Sequence, residues 1–263
     1  ATGCTPHLVG VCVNRIGMAS TYDEVVYVDG FSGPWQHRGE AFEDTSFGIA
    51  LKALTEARQS WASMKSKARL VRMTAHLVEK DATAHGRLAE LKLLFPNIKI
   101  ITHNADFVQV APDIARSIPS RAFSFVFVDP KGFSLDLKVI RPLIARDHSE
   151  VVFNFMFDFI NRFALSDDAA ISSILDRLIP DENWREPMRA LDTDPAATPL
   201  RRKRVLVDAF ERAVSQLGRY PYVADVDVQR PNQDRTLYFL VYGSRQPAGI
   251  QVFRDCQIKS LGV

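Results

Sequence analysis

Five polar residues fall at or just past the places where an alternating strand-and-helix pattern ends its strands: Asp29, Glu79, Asp106, Asp129 and Asn154. Carboxylates and an amide gathered along one sheet edge can accept hydrogen bonds from sugar hydroxyls, from an amino group on a base, or from a nucleophilic amine. Asp29 opens the stretch DGFSG, where Gly30 and Gly33 bracket a turn around Phe31, and Trp35 lies just beyond. Such a turn lets the backbone approach a nucleotide-like ligand. An ordinary strand–turn–helix corner uses the same residues, and two glycines fall short of a G-x-G-x-x-G fingerprint. Asp129 is followed by Pro130, Lys131, Gly132 and Phe133. The acid can accept a hydrogen bond from an amine or deprotonate it. Pro130 fixes φ and offers a carbonyl without a competing N–H, and Phe133 presents an aromatic face to a planar substrate. No cysteine follows this strand, which argues against covalent attack on a pyrimidine ring. Further on, Asp158, Asn161 and Arg162 share one helix face. Arg162 either reaches a substrate carboxylate or phosphate or closes an internal ion pair with Asp158.

The elements that must position these residues are legible in the apolar pattern. VVYVD (25–29), residues 68–79, IKIITH (98–103), AFSFVFVD (122–129) and EVVFNFMF (150–157) read as strands. Helical segments over about 45–60, 82–95, 107–118 and 135–146 separate them. The alternation implies a parallel sheet with helices on both faces, whose strand ends gather on one edge. Residues 164–220 read as a helical insertion or appendage. YVADVDVQ (222–229) and TLYFLVYGS (236–244) bracket a turn cluster as an antiparallel hairpin, and a last helix opens at Pro247. The expected organisation is a lead-in over 1–20, a Rossmann-like core over 21–163, the insertion over 164–220, and 221–263 completing the core.

Bulk properties set limits. The 263 residues carry 33 Lys and Arg against 31 Asp and Glu, a balance that does not by itself announce a nucleic-acid binder. The basic run Arg201–Arg204 is either a solvated helix start or a phosphate contact. Cys4, Cys12 and Cys256 lack metal-site or disulfide spacing, so a reducing cytoplasm is the expected setting. The histidines show no ligand spacing and read as ordinary core or surface residues. No stretch is long and apolar enough to span a membrane.

The chain order of the polar strand ends suits S-adenosylmethionine: a glycine turn with Asp29, Gly30, Phe31 and Gly33 for the amino-acid moiety, Glu79 for the ribose hydroxyls, and Asp106 for the adenine amino group. Spacing alone does not separate this cofactor from a nicotinamide dinucleotide. The lack of a third glycine and the terminal hairpin favour a seven-stranded class I methyltransferase sheet.

The blocks YVDGFSGPW (27–35), LVEKD (77–81), FVDPKGFS (127–134), NFMFDFINRF (154–163) and LYFLVYGSRQPAGIQVFRD (237–255) together resemble the three-Cys-motif partner family, TcmP. The resemblance covers about residues 25–258. It implies a methyltransferase-like domain of bacterial, phage-associated proteins that works with a small Cys-motif partner protein. Asp129-Pro130 also resembles the start of the amino-methyltransferase D-P-P-Y motif, which Lys131 and Gly132 interrupt. Two functions follow as expectations: a methyltransferase acting on a nucleic acid or nucleotide-like amine, or a non-catalytic scaffold acting with the small partner in a defence system.

Overall fold

The computed structural model describes residues 22–33, 42, 45–63, 71–130, 135–230 and 235–260. Five parallel strands, β1 (Glu24–Asp29), β2 (Arg72–Val78), β3 (Lys99–His103), β4 (Ala122–Val128) and β5 (Ser149–Phe155), are joined by β6 (Tyr222–Gln229) and β7 (Thr236–Ser244). The sheet order is β3-β2-β1-β4-β5-β7-β6, and β7 runs antiparallel to both its neighbours. The hairpin therefore closes one edge, as expected from the sequence.

Burial explains the strand composition. In β1, Val25 and Tyr27 pack into one apolar layer and Val26 and Val28 into the other. A strand covered on both faces needs an unbroken apolar run. The layer on one face holds α1 (Ser46–Ser63), the broken helix made of α2 (Ala82–Arg87), a 3-10 turn (Leu88–Glu90) and α3 (Leu91–Leu94), and α10 (Pro247–Ser260). The other holds α4 (Phe107–Ser117), α5 (Leu137–Ile144), α6 (Phe157–Phe163), α7 (Ala169–Leu178), α8 (Arg185–Thr193) and α9 (Pro199–Gly218).

Local chemistry sets the helix starts. Asp81, Asp106, Asp136, Asp168 and Thr198 each accept a backbone N–H from the first turn of the helix they precede. Thr45 does the same for α1, its Oγ1 accepting from Gly48 N at 3.0 Å. Residues 82–94 depart from the single continuous helix expected. Gly86 breaks the apolar face and a Cβ there would touch nothing, so little packing holds the helix straight.

The apolar core does not stop at the sheet. Trp184, Met188, Leu175 and Leu178 belong to the same buried cluster as Val151, Phe153 and Phe155 of β5. The helices between β5 and β6 share the sheet's core.

The strand order reverses direction at β1 and β4. Chain progress moves outward from β1 to β2 and β3, then restarts on the other side with β4 and β5. Adjacent crossovers leave opposite faces at this point and open a crevice beyond the strands' carboxyl ends.

Candidate functional site

The residues at this switch point come from three neighbouring strands. Side-chain alternation puts Asp29, Asp129 and Asn154 on the face of Tyr27, Phe127 and Val152, the α1 side. The β4–β5 register pairs Val128 with Phe153, so the next residues, Asp129 and Asn154, fall side by side. Asn154 Nδ2 donates to Asp129 Oδ1 at 2.7 Å. The amide must turn its NH2 toward the carboxylate, which leaves Asn154 Oδ1 buried and without a partner among the described residues. A buried unmet acceptor costs about 1–3 kcal/mol, which makes it a natural place for a ligand donor.

Burial pushes the Asp129 carboxyl up to about 6, opposed by the hydrogen bond from Asn154 and reinforced by the nearby charge of Asp29. Desolvation disfavours the ionised form, and a like charge across the strand pair adds to that effect. The group titrates close to neutrality, where a proton acceptor is most effective. Pro130 follows it and is buried.

Asp29 is fully enclosed. Its Oδ1 accepts from Phe31 N at 3.0 Å, and its Oδ2 accepts from Tyr27 OH at 3.0 Å and Ser46 Oγ at 2.9 Å. Burial raises its pKa in spite of these donors. The carboxylate thus ties the end of β1 to its turn and to the start of α1. Gly30 N donates to Phe127 O at 3.0 Å, Ser32 N to Val78 O at 2.8 Å, and Gly33 N to Phe31 O at 2.9 Å, so the turn is pinned to both neighbouring strands.

Gly30 is needed for close approach and not for a left-handed φ: a Cβ there would lie 2.8 Å from Cδ1 of the Phe107 ring. That ring is buried and meets Phe31 edge to face at 5.6 Å. Gly30→Ala is expected to lower stability by about 1–3 kcal/mol through overpacking. Chemical denaturation would measure it, and adding Phe107→Leu should restore part of the loss. An unchanged midpoint in the single variant would mean that the ring moves freely.

Glu79 and Asp106 stand at the next two strand ends. Glu79 Oε1 accepts from Asp81 N at 2.7 Å, and its other oxygen makes no hydrogen bond among the described residues. Asp106 caps α4, its Oδ1 accepting from Val108 N at 3.0 Å. Asn104 Nδ2 bridges to the carbonyls of Glu79 and Lys80 at 3.0 and 3.1 Å and locks the two strand ends together. Trp35 and Phe133 lie outside the described residues.

Arg162 belongs to a different group, on α6 beyond β5. It pairs with Asp158 at 3.0 Å, the internal ion pair that its spacing allowed. Two arginines from the neck of the β6–β7 hairpin join it. Arg230 meets the same carboxylate at 3.1 Å and Arg235 at 2.5 Å. The hydrogen bond from Arg235, with those of Arg162, holds the Asp158 carboxyl below its usual range. Nothing in the sequence pattern brought Arg230 and Arg235 to this point, because their meeting depends on the hairpin register.

The basic run is neutralised inside the molecule. Arg201 pairs with Asp194 at 2.8 Å, Arg202 with Asp192, Lys203 with Asp227 at 2.9 Å, and Arg204 with Asp225 at 3.0 Å. The run lies in the first turns of α9, the helix start that the sequence allowed. His76 and His103, ordinary core or surface residues by the sequence, meet across β2 and β3: His76 Nδ1 and His103 Nε2 lie 3.0 Å apart with stacked rings. Burial lowers His76 to about 4 and also lowers His103. Among the described residues there is no cluster of His, Cys, Asp or Glu suited to a metal, and no helix long and apolar enough to cross a membrane.

No protein-family model matches the chain, and no curated protein matches its sequence. Among solved structures, a Legionella pneumophila protein of the family-model DUF519 aligns with a TM-score of 0.50 at 11% identity, over 99% of this chain and 91% of that one. An rRNA methylase from Streptococcus thermophilus aligns at 0.39 and 11% identity, over 89% and 94%. Spermidine synthase from Thermotoga maritima aligns at 0.37 and 9% identity, over 89% and 56%. At 11% identity the likeness to the Legionella protein is one of fold. With its sheet order and terminal hairpin, this chain has the Rossmann-like class I methyltransferase fold.

Proposed function

We propose that the protein is an S-adenosylmethionine-dependent methyltransferase whose acceptor is an amine of a nucleic acid or nucleotide-like compound. The observation that carries this reading is the Asp129–Asn154 pair, a carboxylate titrating near neutrality beside a buried amide oxygen with no partner. Two acceptors side by side fit the two N–H bonds of an exocyclic amine.

The residues around the switch point fit the cofactor. The open oxygen of Glu79 suits a ribose diol, the Gly30–Gly33 turn suits the amino-acid moiety, and Asp106 suits the adenine amino group. Asp29 serves by holding the turn in shape. When bound, the cofactor supplies an electrophilic methyl group. Asp129 and Asn154 orient the amine so that its lone pair points toward the incoming carbon. As the N–C bond formed, the C–S bond of the sulfonium would break to leave a neutral thioether, and the ionised Asp129 would accept the one proton that the nitrogen sheds and pass it to water.

Calorimetric titration with S-adenosylmethionine and, separately, NAD tests the cofactor. Micromolar binding of the first alone is expected, weakened about tenfold in Glu79→Gln, the loss of one charge-assisted hydrogen bond. Gln still accepts from Asp81 N, so the local fold is kept. Binding of neither compound would leave the scaffold reading, with a small Cys-motif protein as the partner to seek.

A further inference from the structure

Three guanidinium groups converge on one carboxylate at the carboxyl edge of the sheet, the edge that also carries Asp129 and Asn154. Asp158 has a side chain only 13% exposed, whereas those of Arg162, Arg230 and Arg235 are 56%, 40% and 53% exposed. The carboxylate fixes the positions of the three cations and cancels one charge, leaving a local excess of two. Clustered cations in a protein that is nearly neutral overall repel one another, and a bound anion relieves that repulsion. Arg230 Nε is buried and lacks a partner among the described residues.

The elements that carry these arginines place the cluster. α6 starts two residues past the end of β5, and Arg230 and Arg235 flank the hairpin turn where β6 ends and β7 begins. β6 lies parallel to β1–β5, so its carboxyl end is on the same edge as Asp129 and Asn154. The backbone bond from Arg230 N to Arg235 O, 2.9 Å, holds the two arginines side by side. On α6, Phe159 is 37% exposed and packs at 5.2 Å against Phe163, one turn along and beside Arg162.

Fixed guanidiniums next to an exposed aromatic ring have the chemistry of a single-stranded nucleic-acid groove. Arginine forks match phosphate oxygens, and an aromatic face accepts a base of any identity. We infer that Arg162, Arg230 and Arg235, ordered by Asp158, seat the phosphodiester backbone of a single strand whose target base enters the Asp129–Asn154 crevice, with Phe159 stacking a neighbouring base. The inference rests on the methyltransferase reading only for the direction in which the strand is presented. The arginine seat itself stands apart from it.

Fluorescence anisotropy with a labelled 12-nucleotide single-stranded DNA, and with the RNA of the same sequence, tests the seat on the full chain over a range of salt concentrations. The double variant Arg162→Gln/Arg235→Gln leaves Arg230 on Asp158, so the carboxylate keeps a cation. It is expected to bind at least tenfold more weakly, with the slope of log K against log salt smaller by about 1.4, two phosphate contacts on a single strand. Phe159→Ala is expected to weaken binding about fivefold at an unchanged slope. Calorimetry with S-adenosylmethionine on the same variants should show unchanged cofactor affinity. Oligonucleotide binding that is absent, or equal in wild type and the double variant with native thermal unfolding in both, overturns the seat. Arginine-dependent oligonucleotide binding without cofactor binding keeps the seat and removes the methyltransferase reading.

Discussion

Asp129→Asn should lower kcat of the proposed methyl transfer about a thousandfold and at the same time stabilise the protein above neutral pH. Both effects have one cause. A general base contributes roughly 100- to 10,000-fold, and Asn accepts a hydrogen bond but no proton. The carboxyl of Asp129 titrates at about 6 in the folded chain against an ordinary value of 3.8. Its folded pKa is the higher one, so between these values the folded state binds more protons than the unfolded state. Stability from this group is fully present below about pH 4 and is lost as pH rises through about 6. The loss approaches 3 kcal/mol at most, by linkage. Removing the charge should restore about 2 kcal/mol at pH 8 and nothing at pH 3.5. An amide at 129 still accepts from Asn154, so the pair keeps its hydrogen bond. Urea unfolding at the two pH values checks the stability, and single-turnover rates check the chemistry. In the wild type, the rate should rise through about pH 6 as Asp129 ionises. A variant that is less stable at pH 8, or one that keeps its rate, would remove Asp129 from the role of base.

The same residue shows how far a sequence can be read. Five apolar runs, each with a polar residue at or just past its end, were enough to place β1–β5 and to put Asp29, Asp129 and Asn154 on one edge. Strand registers between neighbours do not appear in the pattern, so the 2.7 Å bond between Asn154 and Asp129 and the enclosure of Asp29 by three donors emerge only in three dimensions. The partners of charged residues are hidden for the same reason. Arg201–Arg204 is conspicuous in the sequence, yet its partners Asp192, Asp194, Asp225 and Asp227 are scattered in the chain and neutralise it. Arg230 and Arg235 are inconspicuous, yet a hairpin neck brings them to Asp158 with Arg162. Gly30 was read as a turn former. Its constraint is the Phe107 ring, supplied by a helix 77 positions further along the chain.

Trp184→Ala should cost about 3–5 kcal/mol and should do so in a single unfolding transition. The residue lies in a stretch rich in proline and charge, PDENWREPMRALDTDPAATP, which reads as a polar insertion. In the fold it is 1% exposed, the largest fully buried side chain among the described residues, and its cluster includes β5 residues and the buried face of α9. Deleting a buried aromatic leaves a cavity that its surroundings refill only in part, which sets the magnitude. The Arg185 guanidinium covers the ring at 4.3 Å, so some of the loss is that cation–π contact. We propose that residues 164–220 are a lobe of the methyltransferase core and not a separately folding appendage. A shared core predicts one cooperative unit: circular dichroism at 222 nm and tyrosine fluorescence should report the same midpoint in the wild type, and the variant should shift both equally. A two-step curve in which the variant lowers one step and leaves the other in place would make the helices an independent domain. One shifted transition would mean that the arginine cluster at α6, the crevice and the helices beyond β5 are stabilised together, so that a mutation far from Asp129 lowers the population of the whole folded edge.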